Sequence, residues 1–336
     1  MKAALTPRYG PPETVRIGDH PTPSPASADV LVRVAAAAVT TADWRMRASA
    51  FPGGLWLPGR MMTGLFRPRN PVLGSAFAGT VTALGPDAKG FAAGDRVFGF
   101  APHGAHAEYL AIKSDAAIAP LPDRLSFEDA AALPFGAASA LVFLRDIAGL
   151  ASGEHILIVG ASGATGSYAV QIAKALGAEV TAVASAGNED LVRSLGADHF
   201  VDYRAADPLA VTAGYDVIFD TVGATTFRRA GAALRPTGRY VPLNFSMLDA
   251  GRAALSNLGK GPTMKIAVSG DTRAILDDLI AMIENGQLRP VIDTVLDFEQ
   301  IAEAHRLVET RHRSGTLVVT MPEASSTGEM DRPRDA

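Results

Sequence analysis

Cysteine is absent from this 336-residue chain. That excludes disulfides, thiolate nucleophiles and any zinc site built on sulfur. Long apolar runs are missing too. No uninterrupted stretch approaches the roughly 18 residues needed to cross a bilayer, and the richest, "AALPFGAASALVFL", is broken by Pro134 and Gly136. Excess charge of one sign is also lacking: 31 Lys and Arg against 35 Asp and Glu leave a net charge of −4, with no basic stripe to follow a nucleic-acid backbone. The opening residues, "MKAALTPRYGPP", carry no apolar h-region or cleavage site, so no signal peptide is expected. A soluble, cytoplasmic protein with a small-molecule substrate is expected, with neither nucleic acid nor membrane as a partner.

What is present is a 48% hydrophobic share with 20% charged residues, ordinary for a folded chain. At this length two domains are expected. Residues 1–123 read as β-rich: "DVLVRVAAAAV", "GTVTALG", "DRVFGF" and "HAEYLAIK" are short β-prone runs between Gly, Pro and Asp turns. Among them, "FPGGLWLPGRMMTGLFRPRNPVLG" shows no clean period. Its Trp56, Leu57, Met61, Met62, Leu65 and Phe66 make it too apolar to stay solvated, and it reads as a lid over a site. From about residue 126 the pattern becomes alternating strands and helices. "HILIVG", "AEVTAVA", "DHFVDY", "YDVIFDTVG", "GRYVPLN" and "MKIAVS" are the strands; helices intervene at "ATGSYAVQIAKAL", at "NEDLVRSL" (Asn188 as N-cap) and at "TTFRRAGAAL". Such alternation builds a doubly wound parallel sheet. The end is mixed, and beyond residue 322 a polar, disordered tail is expected.

"GASGATG", residues 160–166, carries the chemistry. Gly160, Gly163 and Gly166 stand three apart where a strand meets a helix. Glycine permits the tight turn and close backbone approach, and the helix N-terminus offers free N–H groups to a diphosphate. With a second strand following, the context is that of a dinucleotide site. The tip of that strand reads "VASA", with no carboxylate for a ribose 2′-hydroxyl, which favours NADPH over NADH. Arg193 and Arg204 are the nearby cations, and Ser185 and Tyr203 are candidate hydrogen-bond donors. A short-chain dehydrogenase would place this loop near the N-terminus ahead of a Tyr-x-x-x-Lys pair. The one such pair, Tyr109 and Lys113, precedes the loop in a strand-like stretch, so that fold is rejected.

The order of parts over residues 1–321 resembles the zinc-free quinone oxidoreductase branch of the medium-chain dehydrogenase/reductase superfamily. "PVLGSAFAGTVTALGPDAKGFAAGDRVFGF", "GAHAEYLAI", "AAALPFGAASAL", "GASGATGSYAVQIAKALGAEVTAVAS", "LVRSLGADHFVDY" and "DVIFDTVG" carry the likeness. It implies a GroES-like substrate domain (residues 1–123 and 272–321) interrupted by a Rossmann NAD(P)-binding domain (124–271). A homodimer is also implied, pairing edges around "GRYVPLN" and "MKIAVS". The expected cofactor set is Gly160, Ser162, Gly163, Ala164, Thr165, Gly166, Ser185, Tyr203, Val222, Asn244 and Phe245. The chain departs from the family at several places. Thr40 and Thr41 stand where relatives have Asn in "VNP", Ser139 replaces a Thr, Ala76 replaces the Asp of "GSDFAG", and Gly187 replaces the Arg of "STRN".

The expected activity is zinc-independent hydride transfer from NAD(P)H to a quinone or activated alkene. Thr40 and Ser139 would orient cofactor or substrate, with water as the proton source. Trp44, Phe51 and Met61 would wall a flat substrate, and no metal ligand set is expected. His103 and His106 read as turn and surface residues; Asp43, Glu108 and Asp95 read as structural. The alternatives are a zinc-free alcohol or carbonyl dehydrogenase and a non-catalytic NADPH-binding or RNA-binding protein; the missing basic patch counts against RNA.

Overall fold

Along Asp29–Val39 buried and part-exposed residues alternate, and the last four are all buried, so the strand runs from a half-solvated face into the core. The computed structural model describes residues 1–270 and 272–322. In its first part lie β1 (Lys2–Leu5), β2 (Arg16–Asp19), β3 (Asp29–Val39), β4 (Ala76–Leu84), β5 (Arg96–Phe100), β6 (Tyr109–Lys113) and β7 (Ile118–Pro120). Helices α1 (Thr41–Ala48) and α2 (Trp56–Thr63) occupy the β3–β4 connection.

Two helices, α3 (Phe127–Ala131) and α4 (Leu133–Leu141), lead to the second sheet, and α4 runs on as a π-helical turn over Val142–Ile147. Then follow β8 (His155–Val159), α5 (Gly166–Ala175), β9 (Glu179–Ala184), α6 (Glu189–Ser194), β10 (His199–Asp202), β11 (Tyr215–Asp220), α7 (Phe227–Ala233), β12 (Leu234–Pro242), α8 (Met247–Ser256) and β13 (Thr263–Met264). These six strands pair in parallel in the order β10-β9-β8-β11-β12-β13, the expected doubly wound sheet. Every residue of β11 is buried, as a strand covered on both faces requires.

The chain closes with α9 (Arg273–Glu284), β14 (Ile292–Asp297), α10 (Ile301–Thr310) and β15 (Thr316–Thr320). Strand β15 pairs antiparallel with β3, so the last strands complete the first sheet in the order β14-β15-β3-β4-β5-β7, with β6 also on β3. The fold is a GroES-like β-rich unit joined to a Rossmann parallel-sheet unit.

Several local expectations are corrected. The aperiodic lid segment contains α2, on which Trp56, Leu57 and Met61 are exposed rather than covered, as is Phe66 beyond its end. "MKIAVS" contributes only the end of the two-residue β13. Asn188 stands at the N-cap of α6 without capping it; its amide donates to Ser185 Oγ and its oxygen accepts from Ser314 Oγ. The expected disordered tail lies, beyond Pro322, outside the described residues.

His106 is fully buried, not a surface residue. Its Nε2 lies 3.0 Å from the Ala38 carbonyl, and its ring meets that of buried His305 edge-on at 5.7 Å. Neither nitrogen of His305 has a hydrogen-bond partner among the described residues. Burial, then His106 and the Arg47 guanidinium, hold its pKa well below the ordinary histidine range. The native state therefore keeps this ring neutral, whereas the unfolded chain protonates it below about pH 6.5. Stability is expected to fall as pH drops through that value, by at most about 1.4 kcal/mol per pH unit for this one proton. His305→Phe should flatten the slope in urea melts between pH 7 and 5. An unchanged slope would show that other groups dominate.

Candidate active site

Strand β8 ends at Val159, and the chain must turn at once into α5. Gly160 makes the turn with φ +81°, a left-handed conformation that costs glycine little. Gly163 N–H then donates to Gly160 O at 3.1 Å. Gly166 opens α5 so close to the turn that a Cβ there would lie 2.0 Å from the Gly160 oxygen. At Gly163 the same oxygen is the one atom within range, at 3.4 Å. One glycine thus turns the chain, one seats the helix, and Gly163 alone keeps a space that the protein does not fill. An open cradle at a helix N-terminus suits a diphosphate, so these residues fit a dinucleotide.

Two cavities meet at this loop. A cleft of about 620 Å³ is lined by Ser139, Gly163, Ala164, Thr165, Val222, Asn244 and Phe245, with Phe51, Phe100, Phe135 and Phe143 supplying apolar walls. A second cavity of about 1030 Å³ is lined by Gly160, Ser162, Gly163, Ser185, Tyr203 and Val222, together with Arg204 and Arg229. Gly163, Val222, Arg311 and Arg313 belong to both. Apart from Gly166, which packs helix against strand, every residue of the expected cofactor set lines one cavity or the other.

Three other expected residues lie elsewhere. Thr40 is 2% exposed and caps α1: its hydroxyl donates to Asp43 Oδ2 at 2.6 Å and accepts from Asp43 N. Thr41, one residue on, lines the cleft instead. Trp44 packs into the core of the first sheet, because α1 turns the face bearing Thr41, Ala42, Arg45 and Met46 towards the cleft. Met61 is 66% exposed and does not line the cleft; its equally exposed neighbour Met62 does. Of the carboxylates read as structural, Asp43 lines the cleft, but its oxygens accept from Thr40 N, Thr40 Oγ1 and Gly74 N. Asp95 accepts from Ala92 N in its turn, and Glu108 from Lys2 N.

The sequence reading missed Arg45, Asp220, Arg311 and Arg313. Arg45 reaches across the cleft to donate to Asn244 Oδ1, and burial lowers its pKa, with a further push from Arg311. Arg313 is mostly buried, which likewise lowers its pKa; it donates to Thr41 Oγ1 at 3.1 Å. The residue 311–315 segment lies along the glycine loop through a bridge between Gly163 and Gly315, with the Arg311 guanidinium on the Val222 carbonyl. Fully buried Asp220 ends β11 and accepts from the N–H groups of Val222, Gly223, Ala224 and Thr225, building the loop shared by both cavities. It also accepts from the Tyr240 hydroxyl at 3.3 Å; burial and this carboxylate push the phenol pKa up. The helical spacing of α1 was the available signal for Arg45. Nothing local marks the other three.

Among the described residues one His/carboxylate group has metal-binding spacing: His155, Glu179 and His199. These begin β8, β9 and β10, at the end of the sheet away from the glycine loop. The sequence reading named none of the three; they come together only in the folded sheet.

Residues 26–123 match the family described as alcohol dehydrogenase GroES-like domain, and residues 195–319 the family described as zinc-binding dehydrogenase. The chain is 38% identical over 261 residues to the spectinabilin polyketide synthase system protein NorB of Streptomyces orinoci, covering 75% of this chain but only 12% of that protein. It is 30% identical over 334 residues to the human mitochondrial NAD(P)H oxidoreductase RTN4IP1, covering 87% of this chain and 82% of the relative. The structure of the quinone oxidoreductase from Coxiella burnetii superposes with a TM-score of 0.84 at 28% identity, over 96% of this chain and 99% of that one. With the fold, the glycine loop and these matches together, the chain belongs to the zinc-free, quinone oxidoreductase-like branch of the medium-chain dehydrogenase/reductase superfamily, a family of NAD(P)H oxidoreductases.

Proposed function

We propose that this chain reduces a quinone or an activated alkene with NADPH, between a GroES-like domain (1–123 and 272–321) and a Rossmann domain (124–271). One observation carries the reading. An apolar cleft walled by phenylalanines opens onto the glycine loop, and Asp43, the one carboxylate lining it among the described residues, is occupied by helix-capping and main-chain hydrogen bonds. Such a wall suits a flat acceptor that is already electrophilic and needs positioning and dry surroundings more than acid–base chemistry. When bound, nicotinamide supplies the hydride. Gly160, Ser162, Gly163 and Ser185 would hold the diphosphate and adenosine end; Ala164, Thr165, Asn244 and Phe245 would hold the nicotinamide end. Ser139 and Thr41 orient the acceptor, Arg45 stabilises the oxygen on which negative charge develops, and water delivers the proton. Thr40 acts only through α1, by fixing its first turn.

The test is NADPH oxidation by purified protein across quinones, enones, aldehydes and alcohols, with NADH in parallel. Turnover of quinones or enones alone is expected. Faster turnover of an aldehyde–alcohol pair would overturn the acceptor class.

The cofactor reading rests on the tip of β9, where Ser185, Ala186 and Gly187 present no carboxylate to repel a 2′-phosphate. Tyr203 and Arg204 line the cavity beside them, and Asp207 there is paired with Arg229 at 3.0 Å. No atom lies within 4 Å of where a Gly187 Cβ would stand, so a longer side chain fits. Gly187→Arg is therefore expected to raise kcat/KM for NADPH by up to about fivefold, the value of a partly exposed ion pair, and to leave NADH nearly untouched. A wild type that prefers NADH tenfold, roughly 1.4 kcal/mol, would overturn the NADPH reading. Two copies pairing along the β13 edge would extend the parallel sheet into a homodimer.

A further inference from the structure

We propose that His155, Glu179 and His199 bind a divalent transition-metal ion of the zinc type at the base of the parallel sheet, outside the cleft. Each is the first residue of its strand, and register brings them together. His155 pairs with Glu179, and His199 pairs with Thr181, two residues further along β9. Side chains alternate along a strand, so all four lie on one face. One ligand atom from each of the three lies within 4.8 Å of the other two. His199 Nε2 stands 2.7 Å from Glu179 Oε1, and the two imidazole rings are 5.9 Å apart.

Two imidazoles and one carboxylate form a donor set that zinc accepts, with water as fourth ligand. A tetrahedral ion with bonds of about 2.0–2.1 Å needs its donors about 3.3 Å apart. Rotation of the exposed His199 and Glu179 side chains can close the present spacing. The Tyr215 ring, edge-on to His155 at 4.8 Å, holds that imidazole in place. Binding would exchange two hydrogen bonds, His155 with Thr181 and His199 with Glu179, for coordination bonds that tie three adjacent strands together.

The readout is therefore stability, independent of turnover. Tag-free protein stripped with a chelator is titrated with Zn2+ by calorimetry and melted with and without the ion; Co2+ is added separately to read its visible spectrum. Expected are one Zn2+ per chain, a higher Tm and a tetrahedral Co2+ band. His199→Ala and Glu179→Gln should weaken binding about tenfold or more and remove the Tm rise, while His103→Ala changes nothing. NADPH oxidation should be the same before and after stripping. No saturable binding to the wild type, or binding that survives in His155→Ala/His199→Ala, would overturn the site.

Discussion

Gly163→Val is expected to lose nicotinamide-cofactor binding and still melt like the wild type. The backbone there is not in a glycine-only conformation, and a Cβ would meet only the Gly160 oxygen at an ordinary 3.4 Å. The protein therefore tolerates the side chain, but the space in front of the α5 N-terminus does not survive it. Affinity measured by nicotinamide fluorescence should fall about a hundredfold or more, roughly 2.8 kcal/mol. Gly166→Val should do the reverse of a clean binding lesion. Its Cβ would sit 2.0 Å from the Gly160 oxygen, so helix and strand must part, at a cost of about 3 kcal/mol. Unchanged cofactor affinity in a folded Gly163→Val protein would remove the loop from the site; equal melting of the two variants would refute the division of roles.

The second large effect is expected at Asp220. Its buried carboxylate accepts from four consecutive main-chain N–H groups and from Tyr240. Asp220→Ala leaves these donors without an acceptor in a partly exposed loop, and each orphan costs on the order of 1–3 kcal/mol unless water reaches it. Partial relief by water leaves an expected loss of about 4 kcal/mol, seen as a lower urea midpoint with an unchanged slope. Because Thr221 and Val222 line the cleft, turnover should fall as well. Asp220→Asn keeps one acceptor oxygen and turns an NH2 towards the remaining donors, so it should fall between the two. An unfolding free energy within about 0.5 kcal/mol of wild type in Asp220→Ala would show that the loop holds itself.

Much of this was legible in the linear chain. The glycines at 160, 163 and 166 lie within seven residues, and a strand-to-helix turn is a local event. Alternation along β3 and the succession of strands and helices after residue 126 are likewise carried by neighbours in sequence, whose periods of about 2 and 3.6 follow from backbone geometry alone. The absence of sulfur needed no structure at all.

Side-chain placement was decided by packing. Thr40 and Thr41 are adjacent and chemically identical, yet one caps a helix and the other faces the cleft, because the turn into α1 points them apart. Met61 and Met62 on α2 are equally exposed, yet only Met62 lines the cleft. His106 became a core residue because it meets His305 from α10, a helix almost 200 residues later. Asp220 acquired its role from a loop that folds back on it. His155, Glu179 and His199 stand 24 and 20 residues apart, about one strand–helix repeat each, and only the register of three parallel strands brings their donor atoms together. Periodicity fixes which elements form, because consecutive residues carry it; which side chains share a site depends on contacts between residues far apart in the chain, and those exist only once the sheets have packed.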